Sequence, residues 1–128
     1  MGKRGKADRG TVLLNYKLWL SSLTGDGKIG NETYNLLDLI DQKGSLKAAA
    51  DHLKISYRKA WGHIDEAEKI LGYDLTEKSR GGKDGGQSKL TPQGIKLLEA
   101  YNSLQKKFDD TFEEAYTDFK DKISDNSK

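Results

Sequence analysis

Arg58 stands two residues after Ser56 in the run KISYRKAWGH (residues 54–63), with Lys54 before it and Lys59 beside it. These side chains suit a polyanion. An arginine guanidinium can donate two parallel hydrogen bonds to a guanine edge. Lysines suit phosphates as mobile point charges. A serine at a helix start, with the unpaired amides next to it, suits a phosphate oxygen, and Ser45 and Ser56 are both placed in that set. Gly62 has no side chain, so its backbone can approach a ligand closely. Either aromatic, Tyr57 or Trp61, suits contact with a thymine methyl or a sugar; Tyr57 is placed in the contact set and Trp61 is read as mainly a packing residue. Further on, RGGKDGG (residues 80–86) sets Arg80 and Lys83 among four glycines. That make-up fits a basic loop of little bulk, suited to a minor groove or to phosphates. It lacks the GK[ST] ending of a nucleotide-cradling loop.

Such residues need a frame, and the flanking sequence predicts one. Ser45 caps a helix with Leu46, Ala49, Ala50 and Leu53 inward, and Lys54-Ile55 makes a turn. Ser56 caps the next helix, whose inward stripe is Ala60, Ile64, Ala67 and Leu71 and which Gly72 ends. At about 100° per residue, Arg58 and Gly62 then face away from that stripe, with Tyr57, Lys59 and Trp61 on its flanks. The small residues Ala48, Ala49 and Ala50 let two helices cross closely. Upstream, residues 12–20 (VLLNYKLWL) read as a strand, TGDGKIG as a turn, and Asn31 as the cap of a helix with Tyr34, Leu37 and Ile40 inward, closed by Gly44. Downstream, Leu75–Ser79 and Ser88–Leu90 read as strands joined by the glycine-rich tip. Thr91-Pro92 then starts a long helix. Its apolar stripe runs through Leu97, Leu98, Tyr101, Leu104, Phe108, Phe112, Ala115, Phe119 and Ile123.

The chain has 128 residues, no cysteine and a net charge of only +2. That length predicts one domain, and the missing cysteines remove disulfides and thiolate metal sites. No apolar run is long enough for a membrane span and the first residues lack an apolar signal core, so a cytoplasmic protein away from membranes is expected. The distribution of charge says more than its sum. Positive charge gathers in residues 1–10, 54–59 and 78–89, and negative charge toward the end, from Asp109 to Asp125. Catalysis finds no support: His52 and His63 lie on different helices with no convergent carboxylates, so neither a metal nor a cofactor is expected and the chain does not read as an enzyme.

The stretch from about residue 33 to 104 resembles the N-terminal DNA-binding domain of the ModE family of molybdate-responsive transcriptional regulators and, more distantly, the LysR-type regulators. The likeness rests on GSLKAAADHLKISYRKAW, on Leu75, Glu77 and Lys78 ahead of Gly81-Gly82-Lys83 and Gly85-Gly86, and on Leu90-Thr91 with Gly94. It implies a winged helix-turn-helix that dimerises mainly through the helix from Pro92 onward, and leaves room for the Leu14–Leu20 strand to contribute. It also implies DNA contacts at Ser56, Tyr57, Arg58 and Lys59, and wing contacts around Arg80 and Lys83. Arg80 stands where the family often has a small hydroxyl residue, and Asp84 and Gln87 interrupt the usual glycine run. The family's full-length members carry molybdate-binding domains after this part, and here the match is followed only by helix and tail, so molybdate sensing is not carried over.

The sequence therefore predicts a mainly α protein with a small β-wing. A basic arm occupies residues 1–10, a winged helix-turn-helix 11–91, a dimerisation helix 92–123 and a frayed tail 124–128. Double-stranded DNA is the expected partner. A homodimer is expected through Tyr101, Leu104, Phe108, Phe112 and Phe119, with fold-back of the helix onto its own domain left open. The expected role is a sequence-specific transcriptional regulator on an inverted repeat. A protein-interaction module and a non-specific, nucleoid-type DNA binder are the alternatives, and an unidentified protein or small-molecule effector is left open.

Overall fold

The computed structural model describes residues 12–79 and 87–124. Its elements, in chain order, are β1 (Leu20–Ser21), β2 (Lys28–Ile29), α1 (Asn31–Lys43), α2 (Leu46–Leu53), α3 (Tyr57–Leu71), β3 (Thr76–Ser79), β4 (Gln87–Leu90) and α4 (Pro92–Ser124). The basic arm expected at 1–10, the wing tip with Arg80 and Lys83, and the tail beyond Ser124 lie outside the described residues. Two compact units are present: Leu18–Gln105, and a second that joins the chain up to Lys17 with the chain from Lys106 onward.

In the first unit α1 lies at the centre, packed by α2, α3, β2 and β4. It therefore buries Thr33, Leu36 and Leu39 beyond the expected stripe of Tyr34, Leu37 and Ile40, because a helix covered on several sides needs apolar residues around more of its surface. Gly30, not Asn31, is the N-cap. Asn31 is displaced from that role into another: its Oδ1 accepts from the Tyr101 hydroxyl at 2.7 Å. The Tyr101 ring stacks on Tyr34, centroids 3.5 Å apart and planes 8° from parallel. Tyr101 is only 8% exposed, which corrects its assignment to a dimer face: it belongs to the core of its own domain. Burial pushes the Tyr34 hydroxyl up to about 12, with Tyr101 and Tyr73 adding to the shift.

Helix α2 packs against α3, and Ala49 and Ala50 on α2 and Ala60 and Ala67 on α3 are all buried, small residues that suit a close crossing. Both have the serine caps expected of them. Ser45 Oγ accepts from Ala48 N at 2.9 Å and Ser56 Oγ from Lys59 N at 3.0 Å. Between them Lys54 takes a left-handed conformation, φ 60°, and Ile55 N reaches back to Ala50 O at 3.0 Å. This end-of-helix turn satisfies the last carbonyls of α2 and re-aims the chain into α3.

Strands β3 and β4 pair antiparallel from Thr76↔Leu90 to Ser79↔Gln87. Their root is fixed on three sides. Glu68 Oε2 on α3 accepts from Leu75 N at 2.8 Å. Thr91 N donates to Leu75 O at 2.9 Å, and Ser88 N to Gly44 O, at the end of α1, at 3.0 Å. Thr91 Oγ1 donates to Asp74 O and accepts from Gly94 N, capping α4 as Thr91-Pro92 foretold. Gly94 is obligatory there, since a Cβ would lie 2.3 Å from Leu75 O.

The strand expected over residues 12–20 is mostly not one. Only Leu20–Ser21 pairs, with Lys28–Ile29, and residues 12–19 have no regular secondary structure. β-prone residues make a strand only where a neighbouring strand completes the ladder. Some of that stretch instead packs on the end of α4 in the second unit. The Tyr16 ring lies 4.6 Å from Phe112 and its hydroxyl donates to Asp109, while the Tyr116 hydroxyl donates to Val12 O at 2.6 Å.

Candidate nucleic-acid interface

The α2–turn–α3 unit presents the N-terminal half of α3 outward. Ala60, Ile64 and Ala67 are buried against the domain, and Ser56, Tyr57, Arg58, Lys59 and Gly62 are exposed. A side chain added at Gly62 would meet nothing within 4 Å, so the helix surface is open at that point. Lys54 is exposed in the preceding turn. Ser45 is half-buried at the start of α2; its oxygen, like that of Ser56, accepts a helix amide and keeps its proton for a further acceptor. The sequence-derived set thus divides: Lys54, Ser56, Tyr57, Arg58, Lys59 and Gly62 share the head of α3 and the turn leading to it, Ser45 caps the helix before, and Arg80 and Lys83 lie outside the described residues.

Electrostatics of α3 follow from which of its acids are occupied. Glu66 Oε2 accepts from Lys28 N at 2.8 Å and ties the β1–β2 hairpin to α3. Glu68 holds the wing root. Asp65 pairs with Lys69 at 3.0 Å. The acidic groups of the second half are engaged, and the first half carries Arg58 and Lys59 with no carboxylate. The N-terminal amides of the helix add partial positive charge at the same end.

Two features escape sequence reasoning. Trp61 is 45% exposed and Tyr57 51%, so Trp61 is not the packing residue that the sequence predicts; its place on the helical wheel, at the edge of the inward arc, gives no decisive signal. The carboxylate ties of Glu66 and Glu68 bridge separate elements and leave no local pattern. His63 is half-buried, its Nε2 without a hydrogen-bond partner among the described residues, and His52 is exposed on α2. No group of three or more His, Asp or Glu among the described residues could hold a metal ion.

On α4, Leu104, Phe108, Phe119 and Ile123 are exposed, whereas Phe112 is half-buried beside Tyr16. No helix among the described residues is long and apolar enough to cross a membrane.

Residues 32–95 match the family described as "Bacterial regulatory helix-turn-helix protein, lysR family". The chain is 41% identical over 71 residues to the transcriptional regulator ModE of Haemophilus influenzae, covering 56% of this chain and 28% of that protein. It is 35% identical over 104 residues to the molybdenum-pterin-binding protein MopB of Rhodobacter capsulatus, covering 81% of this chain and 35% of that one. The chain therefore spans about a third of the length of these relatives or less. Among solved structures, a point mutant of ZitR from Lactococcus lactis aligns with a TM-score of 0.54 at 21% identity, over 84% of this chain and 74% of that one. That likeness concerns the fold alone: a winged helix-turn-helix, here continued by a long C-terminal helix.

Proposed function

The chain belongs to the lysR family of bacterial regulatory helix-turn-helix proteins, and from that premise we propose that it is a sequence-specific DNA-binding regulator of transcription, acting as a homodimer on an inverted-repeat operator. The observation that carries the reading is the outward, carboxylate-free head of α3, where Arg58 and Lys59 stand exposed beside the open helix surface at Gly62. In this reading α3 enters the major groove, Arg58 donates to a guanine edge, and Lys54, Lys59, Ser56 and Ser45 hold phosphates. Arg80 and Lys83 extend the contact from the wing toward the minor groove or the backbone.

Residues 11–91 then form the reading head and residues 92–123 the dimerisation helix, with residues 1–10 as a basic arm. The exposed stripe of Leu104, Phe108 and Phe119 supports pairing, because large apolar side chains repeated along one helix favour a covering surface. A two-fold dimer would set its two heads about 34–36 Å apart along the duplex, one helical turn.

The test is selection of binding sequences from genomic fragments by the purified protein at about 150 mM salt, repeated with Arg58→Ala. Enrichment of an inverted repeat is expected. The variant should lose about 1–3 kcal/mol and relax base preference at one position of each half-site. Uniform weakening across all sequences would make Arg58 a phosphate contact. No enrichment by the unaltered protein would refute the regulator reading.

A further inference from the structure

Tyr57 and Trp61 lie one helical turn apart on α3 and are both about half exposed. Among the described residues no other aromatic ring stacks on either. Residues spaced by four share one side of a helix, so the two rings form an apolar shelf. Its neighbours around the helix are Arg58, one turn before Trp61 and on its outward side, and Asp65, one turn after. Two half-exposed rings beside a guanidinium at the outward head of α3 set an apolar surface next to a hydrogen-bond donor.

Resting on the regulator reading above, we propose that Trp61, supported by Tyr57, is a specificity-determining residue that reads the C5-methyl group of a thymine in the major groove, next to the base pair read by Arg58. The thymine methyl is the one apolar group that base pairs display in that groove, and an exposed indole is its chemical complement. One feature directs the shelf to base edges. Gly62, adjoining Trp61, lets the helix backbone settle deep enough for the indole to reach the groove floor.

The experiment takes the duplex that the protein itself selects and replaces each thymine in turn with deoxyuridine. That change deletes the methyl group and leaves every hydrogen-bonding group of the base in place. One thymine in each half-site should prove sensitive, with affinity falling about fourfold, the equivalent of one buried methyl group. Trp61→Ala should bind more weakly and treat thymine and deoxyuridine alike at that position, while keeping the preference assigned to Arg58. Deoxyuridine tolerated within about twofold at every position, or a Trp61→Ala variant that still discriminates, would overturn the proposal and leave the regulator reading standing. If Trp61→Ala fails to fold, the scan with the unaltered protein and with Trp61→Gln decides in the same way. A selection that enriches nothing removes the regulator reading, and this inference with it.

Discussion

Replacing Glu68 by alanine should loosen the root of the wing, and the cost can be worked from the hydrogen bonds. The carboxylate accepts from Leu75 N at 2.8 Å, a well-formed bond, and from Thr76 N at 3.4 Å, which is long enough to discount. Leu75 is fully buried, so its amide would be left without its carboxylate partner. A buried donor without a partner costs about 1–3 kcal/mol. Because Glu68 itself is only half-buried and water can reach part of the vacated space, a loss of about 2 kcal/mol is expected. For a chain of this size that is a fall of about 6–10 °C in melting temperature. Glu68→Gln keeps an oxygen acceptor but not its charge, and charge roughly doubles such a bond, so about half that loss is expected. Urea denaturation followed by circular dichroism gives the two values, and amide hydrogen exchange gives a local one: the Leu75 amide should exchange faster in the alanine variant than its neighbours in α1 do. An alanine variant within about 0.5 kcal/mol of the parent, the range of an ordinary surface substitution, or a glutamine variant as damaged as alanine, would refute this account of the wing root.

Two further outcomes follow from the same structure. The Tyr34 hydroxyl ionises near pH 12 when folded against about 10 when unfolded, so the unfolded chain sheds this proton first; stability is unaffected below pH 10, falls between pH 10 and 12 by about 2–3 kcal/mol, and this share of the fall should vanish in Tyr34→Phe, checked by denaturant titrations across that range. Phe108→Asp combined with Phe119→Asp removes two rings that are 46% and 47% exposed, an apolar surface that in a dimer is worth about 8 kcal/mol over both copies; light scattering should then report monomers, and a surviving dimer would rule out α4 as the interface.

What could be read from the sequence was what is decided locally. Ser45, Ser56 and Thr91-Pro92 start their helices, and Gly44 and Gly72 end theirs, because a cap bonds to amides or carbonyls a few residues away in the chain. The outward placement of Arg58 and Gly62 followed from helical period alone. Features that depend on distant partners were not legible. Residues 12–19 have strand composition but no strand beside them. Asn31 has a capping side chain, yet Tyr101, seventy positions on, takes its oxygen. Tyr101 itself fits the α4 stripe equally well as a partner-facing or a core residue, and only the stack with Tyr34 decides. Trp61 lies near the boundary of the α3 wheel, where burial depends on how far the wing and hairpin extend over the helix.

The hydrogen bond from Ser88 N to Gly44 O joins main chain to main chain. The Ser88 side chain takes no part in it, whereas Gly44 supplies its carbonyl from a left-handed conformation, φ 83°; together with the Thr91 N to Leu75 O bond it gives the hairpin a main-chain footing beside the one that Glu68 supplies. Such a footing makes the wing a modular part. Its connecting segment can drift in sequence, or be transplanted from a homologue, while the helices beneath keep their register. Under the proposed function, base preference at the wing can then change without disturbing the fold of the head that carries it.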